Sequence, residues 1–252
     1  MNGKTKVEHA RFERLVTDQR MFRYKDARGR EMIFASNVDD TICCTTDLEL
    51  REQFFDHLRK TWGITHEGTL DRFLGIHFEG SQDKWSWSAT MGTRIDKIVV
   101  RFGLEDSRKV TTPMQPGFAL TVEEFAKEPT ESMITEMRRL IGSIGYCGTA
   151  VRFDISHVVS VLSRHLARPC TKVTEAVKRI IKYLAETRDF ATKWMSLVEE
   201  QGSANVIIGA VDASFVMDTM TQKSHWGFIN FVNNWAVSWK SGLQSTRCFE
   251  QL

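Results

Sequence analysis

Residues 34–44 read FASNVDDTICC. Two carboxylates, Asp39 and Asp40, stand between runs suited to strands, and this predicts a β-hairpin with an acidic tip. Two readings are open. Asp is common in polar turns because its side chain bonds nearby backbone, and spacing alone favours that reading. A carboxylate pair at a tip can also present oxygen ligands to magnesium, the arrangement that two-metal phosphoryl chemistry uses. Without a cation, repulsion between the two would raise one of their pKa values.

Working outward, EMIFAS (31–36) and VDDTICC (38–44) read as the two arms. Thr46–Asp47 is an N-cap for LELREQFFDHLRKTW, whose Leu48, Phe54, Phe55, Leu58 and Trp62 are placed on one helical face. On the N-terminal side, Val7, Phe12, Leu15 and Val16 suggest a weakly apolar helix over 7–16, followed by a turn at KDARGR. RFLGIHFEG (72–80) and KWSWSAT (84–90) read as a strand pair, and MGTRIDKIVVRFGL (91–104) as a short amphipathic helix. Residues 105–130 hold three of the four prolines and read as a long loop. Three helices follow, over 133–151, 153–169 and 171–189, the last with Val173, Val177, Ile180, Ile181 and Leu184 on one side. NVIIGAVDASF, WGFINFV and WAVSWKS then return to strand period. The fold class expected is α+β, with mixed elements over 1–115, a helical connection over 116–204 and a strand-rich segment over 205–252.

The 252 residues are 42% hydrophobic and 26% charged, ordinary for a globular protein, and no apolar run reaches the length of a membrane span. The opening MNGKTKVEHARFERL is charged throughout and lacks an apolar signal core. Five cysteines without framework spacing fit a reducing compartment. Together these predict an intracellular protein, cytoplasmic or nuclear, with no membrane partner. A net charge of +2 neither demands nor excludes nucleic acid. The basic run at 11–30 reads as a solvated face. Asp212, after the apolar run VIIGAV, is a second candidate carboxylate, and its plain reading is a strand-end Asp facing water. The histidines are scattered without ligand or triad spacing. No Walker loop, GxGxxG or GxSxG is present.

The order of these pieces resembles the Pol polyprotein of Ty1/copia-type retrotransposons. FASNVDDTICC resembles the YVDD segment of the reverse transcriptase, and RFLGIHFEG the family's LGI strand. RIDKIVVRFGLEDSRKVTTPM is similar to its segment ending in a Thr-Pro turn. RRLIGSIGYCGTAVRFDISHVVSVLSRHLARP is similar to the region of form GSLMY, TRPDI, VSR. GAVDASFVMDTMTQKSHWGFINFVNNWAVSWKSGLQ resembles the opening of the attached RNase H domain.

The resemblance implies a partial palm-type polymerase, a helical connection and the first strands of an RNase H-like domain. It implies Asp39 and Asp40 as catalytic metal ligands of the polymerase and Asp212 as the first ligand of the RNase H cluster. Mg2+ is the implied cofactor, and template–primer RNA/DNA and the remainder of the polyprotein are the implied partners. It also turns the preference at the acidic pair toward the metal-binding reading.

The motif's aromatic residue is Asn37 here, and an amide offers no stacking surface. The family's third polymerase carboxylate lies before the matched region and its RNase H Glu after it, so the chain is expected to be truncated at both ends and inactive alone. A domesticated module that binds nucleic acid or protein without chemistry is the alternative. Three strands over 205–252 are too few for a self-sufficient core, and the last strand is expected to expose an unpaired edge. The isolated chain is therefore expected to be partly ordered or prone to aggregate. A sharp melt of a monodisperse monomer in light scattering would refute this.

Overall fold

The computed structural model describes residues 12–25, 28–38, 40–65, 68–81, 86–121, 124, 128–195, 206–214, 223–233 and 235–246. The chain forms two compact units, Met1–Leu74 and Gly75–Leu252.

In the first unit, strands β1 (Glu13–Arg14), β2 (Met21–Lys25), β3 (Glu31–Asn37) and β4 (Asp40–Thr45) form an antiparallel sheet in chain order. Along β3 the side chains alternate: Met32 and Phe34 are buried and Ile33 faces out. Phe34 anchors an aromatic cluster, stacked on Phe22 at 4.7 Å and edge-on to Phe12 at 4.9 Å. Helix α1 (Leu48–Trp62) starts where the Asp47 carboxylate accepts from the Leu50 amide at 2.7 Å. It stops at Gly63, whose left-handed φ of 65° suits a residue without Cβ. A short strand, β5 (Arg72–Phe73), follows.

Three expectations need correction in this unit. Glu13 and Arg14 lie on a strand rather than a helix, and Val16 is fully exposed, so no apolar helical face exists over the described residues 12–16; residues 7–11 lie outside the described residues. Strand β2 was hidden inside the basic run. Its Arg23 and Lys25 alternate outward and both meet Glu31, at 2.7 and 2.8 Å. On α1, Leu48 and Trp62 are exposed, and Leu50, Phe55 and Leu58 are the buried residues.

In the second unit, β6 (Ile76–Ser81), β7 (Ser86–Thr90) and β8 (Thr192–Met195) pair antiparallel. Between β7 and β8 come α2 (Gly92–Arg101), α3 (Glu131–Ala150), a 3-10 turn (Phe153–Ile155), α4 (Ser156–Ser163) and α5 (Thr171–Glu186). The apolar stripe of α5 reads as expected: Val173, Val177, Ile180, Ile181 and Leu184 are all fully buried. Against it pack Ile95 of α2 and Met137, Leu140 and Ile144 of α3. Each such side chain contributes roughly 1.5–3 kcal/mol by leaving water. The sequence expected one helix over 153–169; α4 is shorter, and the chain tightens before it where Asp154 pairs with Arg152. Strand β8 was not foreseen.

A third antiparallel sheet has the order β11 (Trp235–Leu243), β10 (His225–Val232), β9 (Ile207–Ala213). Among the described residues its last strand, β11, pairs with β10 alone and is an edge of the sheet, as the sequence suggested, but its side chains reach the rest of the unit. Trp239 of β11 donates its indole N–H to the Gly148 carbonyl at 2.7 Å, and Trp235 meets Trp194 of β8. The other edge is β9, where Ile207 and Val211 are 73% and 79% exposed.

Arg152 ties the helical block together. Only 2% of its side chain is exposed. Its Nε and Nη2 donate to both Asp154 carboxylate oxygens at 2.9 and 2.7 Å, and Nη1 and Nη2 donate to the Thr187 carbonyl and hydroxyl oxygens. The Tyr183 hydroxyl also donates to Asp154, and burial first, then this bond, pushes its pKa up. Removing one partner of a buried pair leaves the other uncompensated. Arg152→Ala is expected to cost about 3 kcal/mol. Denaturant unfolding read by tryptophan fluorescence checks it, since Trp62 is the only tryptophan before residue 75; an unchanged midpoint would refute it.

Candidate functional site

The acidic stretch forms the expected hairpin. Asn37 closes β3 and lies directly across from Asp40, which opens β4, so the paired strand ends are two residues apart. Asp39 lies outside the described residues. Asp40 is exposed at the first position of its strand. Directly opposed residues share a face of the sheet, with Cβ atoms about 5 Å apart, so Asn37 and Asp40 project together. The next pair, Ser36 and Thr41, takes the other face, and their hydroxyls meet at 3.3 Å.

Val38 adopts a φ of +56°. Left-handed backbone brings Cβ against the carbonyl, and a β-branched residue bears it worst. Strain of this kind gathers at functional turns. Behind the tip, the Cys43 thiol is pushed up by burial and is poorly suited to be a nucleophile.

A residue that sequence reasoning passed over joins the tip. Arg20, in the turn before β2, donates from Nη1 to the Asn37 side-chain oxygen at 2.8 Å. Its backbone N–H donates to Asp18, and its carbonyl accepts from Ser36. In the sequence Arg20 was one cation in a basic run, and only the strand register brings it to Asn37, across from Asp40.

Asp212 lies on β9 opposite Gly227 and is exposed, as the whole strand is. It belongs to the second unit and Asp40 to the first. Among the described residues no group of three or more His, Cys, Asp or Glu is arranged to hold a metal ion. The donor chemistry at the tip suits magnesium, but Asp40 alone among the described residues makes an incomplete ligand set. Among the described residues no helix is long and apolar enough to cross a membrane.

Comparison with known proteins finds similar chains. The chain is 28% identical over 217 residues to the retrovirus-related Pol polyprotein from transposon TNT 1-94 of Nicotiana tabacum, covering 82% of this chain. It is 27% identical over 236 residues, 92% of this chain, to the Pol polyprotein from transposon RE1 of Arabidopsis thaliana. Both relatives are Ty1/copia-type Pol polyproteins, and this chain is similar to them over most of its length. It spans about 15% of the length of each of these two Pol relatives. It is also 30% identical over 106 residues to secreted RxLR effector protein 161 of Plasmopara viticola, of which it covers 71%. No family model and no solved structure matches it.

Val38 offers a direct test of the tip of this Pol-related chain. Val38→Asn keeps the loop length and supplies a residue that tolerates φ > 0. It is expected to stabilise the first unit by about 1 kcal/mol. Urea unfolding followed by circular dichroism measures it, and a destabilised variant would show that Val38 is not strained.

Proposed function

We propose that this Ty1/copia-type chain carries the C-terminal part of a reverse transcriptase, a helical connection and the opening strands of an RNase H-like domain. The observation that carries the reading is the two-residue hairpin with Asp40 at its tip, at the position of the family's YVDD segment. The collinear order of the later motifs supports it. In this reading the first unit contributes part of a palm, and β9, β10 and β11 are the first strands of the RNase H-like domain.

Asp39 and Asp40 are the residues that would hold magnesium in the polymerase, and Asp212 in the RNase H site. The ions would lower the charge on the transferring phosphate and activate the attacking oxygen. The chain's own contribution is positional. The short hairpin fixes where Asp40 stands, and the sheet behind it keeps it there. The remaining ligands come from the rest of the polyprotein, and the substrate is an RNA or DNA template–primer. The chain alone is proposed to be inactive.

A second reading, a nucleic-acid or protein binding module without chemistry, has two observations in its favour. Asn37 stands where the family has an aromatic residue, and part of the sequence is shared with a protein named as a secreted effector rather than a polyprotein.

The test is primer extension with magnesium on an RNA template, by a Pol relative in which this chain replaces the matching segment. The reverse-transcriptase reading expects extension that Asp40→Asn lowers by at least about a hundredfold. Extension untouched by Asp40→Asn would overturn it. Loss of extension in every chimera, with salt-dependent nucleic-acid binding that survives Asp40→Asn, would favour the binding module.

A further inference from the structure

We infer that Arg20, held in place by Asn37, is a phosphate-contacting residue at the carboxylate hairpin; this rests on the reverse-transcriptase reading. Three observations carry it. The first is placement. Asn37 faces Asp40 across the hairpin, and the Arg20 guanidinium ends on the Asn37 amide oxygen at 2.8 Å. A phosphate ester drawn to the acidic tip by a divalent ion would therefore meet this guanidinium.

The second is charge. Arg23 pairs with Glu31, Arg30 with Asp47 and Glu49, Arg51 with Glu52, and Arg59 with Asp56. Arg20 differs: among the described residues its side-chain partner is a neutral amide, which orients its positive charge without cancelling it. An arginine serving only to neutralise the acidic tip would bond a carboxylate there.

The third is geometry. One Nη1 hydrogen is used on Asn37, which leaves the other edges of the planar fork exposed. That fork matches two phosphate oxygens at once. Asn37 thus has a use that an aromatic residue could not supply, since it aims a cation. Arg20 binds and Asn37 positions; neither exchanges a proton or forms a bond.

The phosphate has two sources, the nucleic-acid backbone and a nucleoside triphosphate. Two binding arms separate them, one with a labelled RNA–DNA hybrid and one with a fluorescent deoxynucleoside triphosphate plus magnesium. Each is run with the full chain over a salt series. In the arm that supplies the phosphate, Arg20→Gln is expected to weaken binding about tenfold and to lower the salt slope by about 1. Arg20→Lys is expected to keep the slope while losing part of the affinity. Asn37→Ala removes no charge, so it is expected to weaken binding with the slope unchanged, which a merely electrostatic surface role would not produce. Circular dichroism of each variant is read alongside.

If wild type binds and Arg20→Gln matches it in both arms, the inference falls and the reverse-transcriptase reading stands. If Arg20→Gln weakens binding but Asn37→Ala does not, the positioning by Asn37 is overturned. If wild type binds neither probe, the inference falls, and primer extension by the chimeric Pol relative decides the reverse-transcriptase reading by itself.

Discussion

A guanidinium that is 98% buried sets the terms for the helical block, because its charge has to be met by fixed partners. Arg152 meets that demand with one carboxylate, one carbonyl and one hydroxyl, all within 3.0 Å. Those partners come from two places in the chain, Asp154 just before α4 and Thr187 at the end of α5. One side chain therefore fixes where α5 stops relative to where α4 begins. Tyr183 and Phe190 lie 5.5 and 5.4 Å from the cation and keep water from replacing the pairing. With that junction fixed, the apolar stripe of α5 has one register in which it can meet α2 and α3.

Legibility of the sequence follows from how each element is stabilised. Elements held by local pattern were readable: the 3.6-residue stripe of α5, the Asp47 cap of α1 and the alternation in β3. Elements held by long-range pairing were not. Strand β2 looked like a basic run because its outward positions are Arg23 and Lys25, and their partner Glu31 lies across a turn. Strand β8 has four residues and is defined by its pairing with β7, more than a hundred positions earlier. The candidate site divides the same way. The acidic tip was legible as a motif, and its hairpin followed from the flanking strands. Arg20 was not, since nothing in its neighbourhood distinguishes it from the other cations around it.

The hairpin also explains why strain sits where it does. A two-residue loop leaves no slack, so Val38 is held left-handed by the pairing on either side of it. A longer loop would relax Val38 and let Asp40 wander. A tip that must hold acidic groups in one place gains from being short, and the aromatic cluster around Phe34 supplies the rigidity that resists fraying. The placement of Asp40 and the backbone strain at Val38 are thus two results of one loop length.

The third sheet shows the opposite condition. Its β11 edge is covered through Trp235 and Trp239, whereas β9 is exposed on every residue and carries Ile207, Ile208 and Val211 in water. Unpaired backbone beside exposed apolar side chains is an invitation to further pairing. In the proposed reading the same strand bears Asp212. A carboxylate meant to act with others belongs on a strand that has neighbours on both sides, because ligands from adjacent strands converge only when those strands are paired. The exposure of β9 and of Asp212 therefore go together: among the described residues the strand that carries Asp212 is paired on one side, by β10.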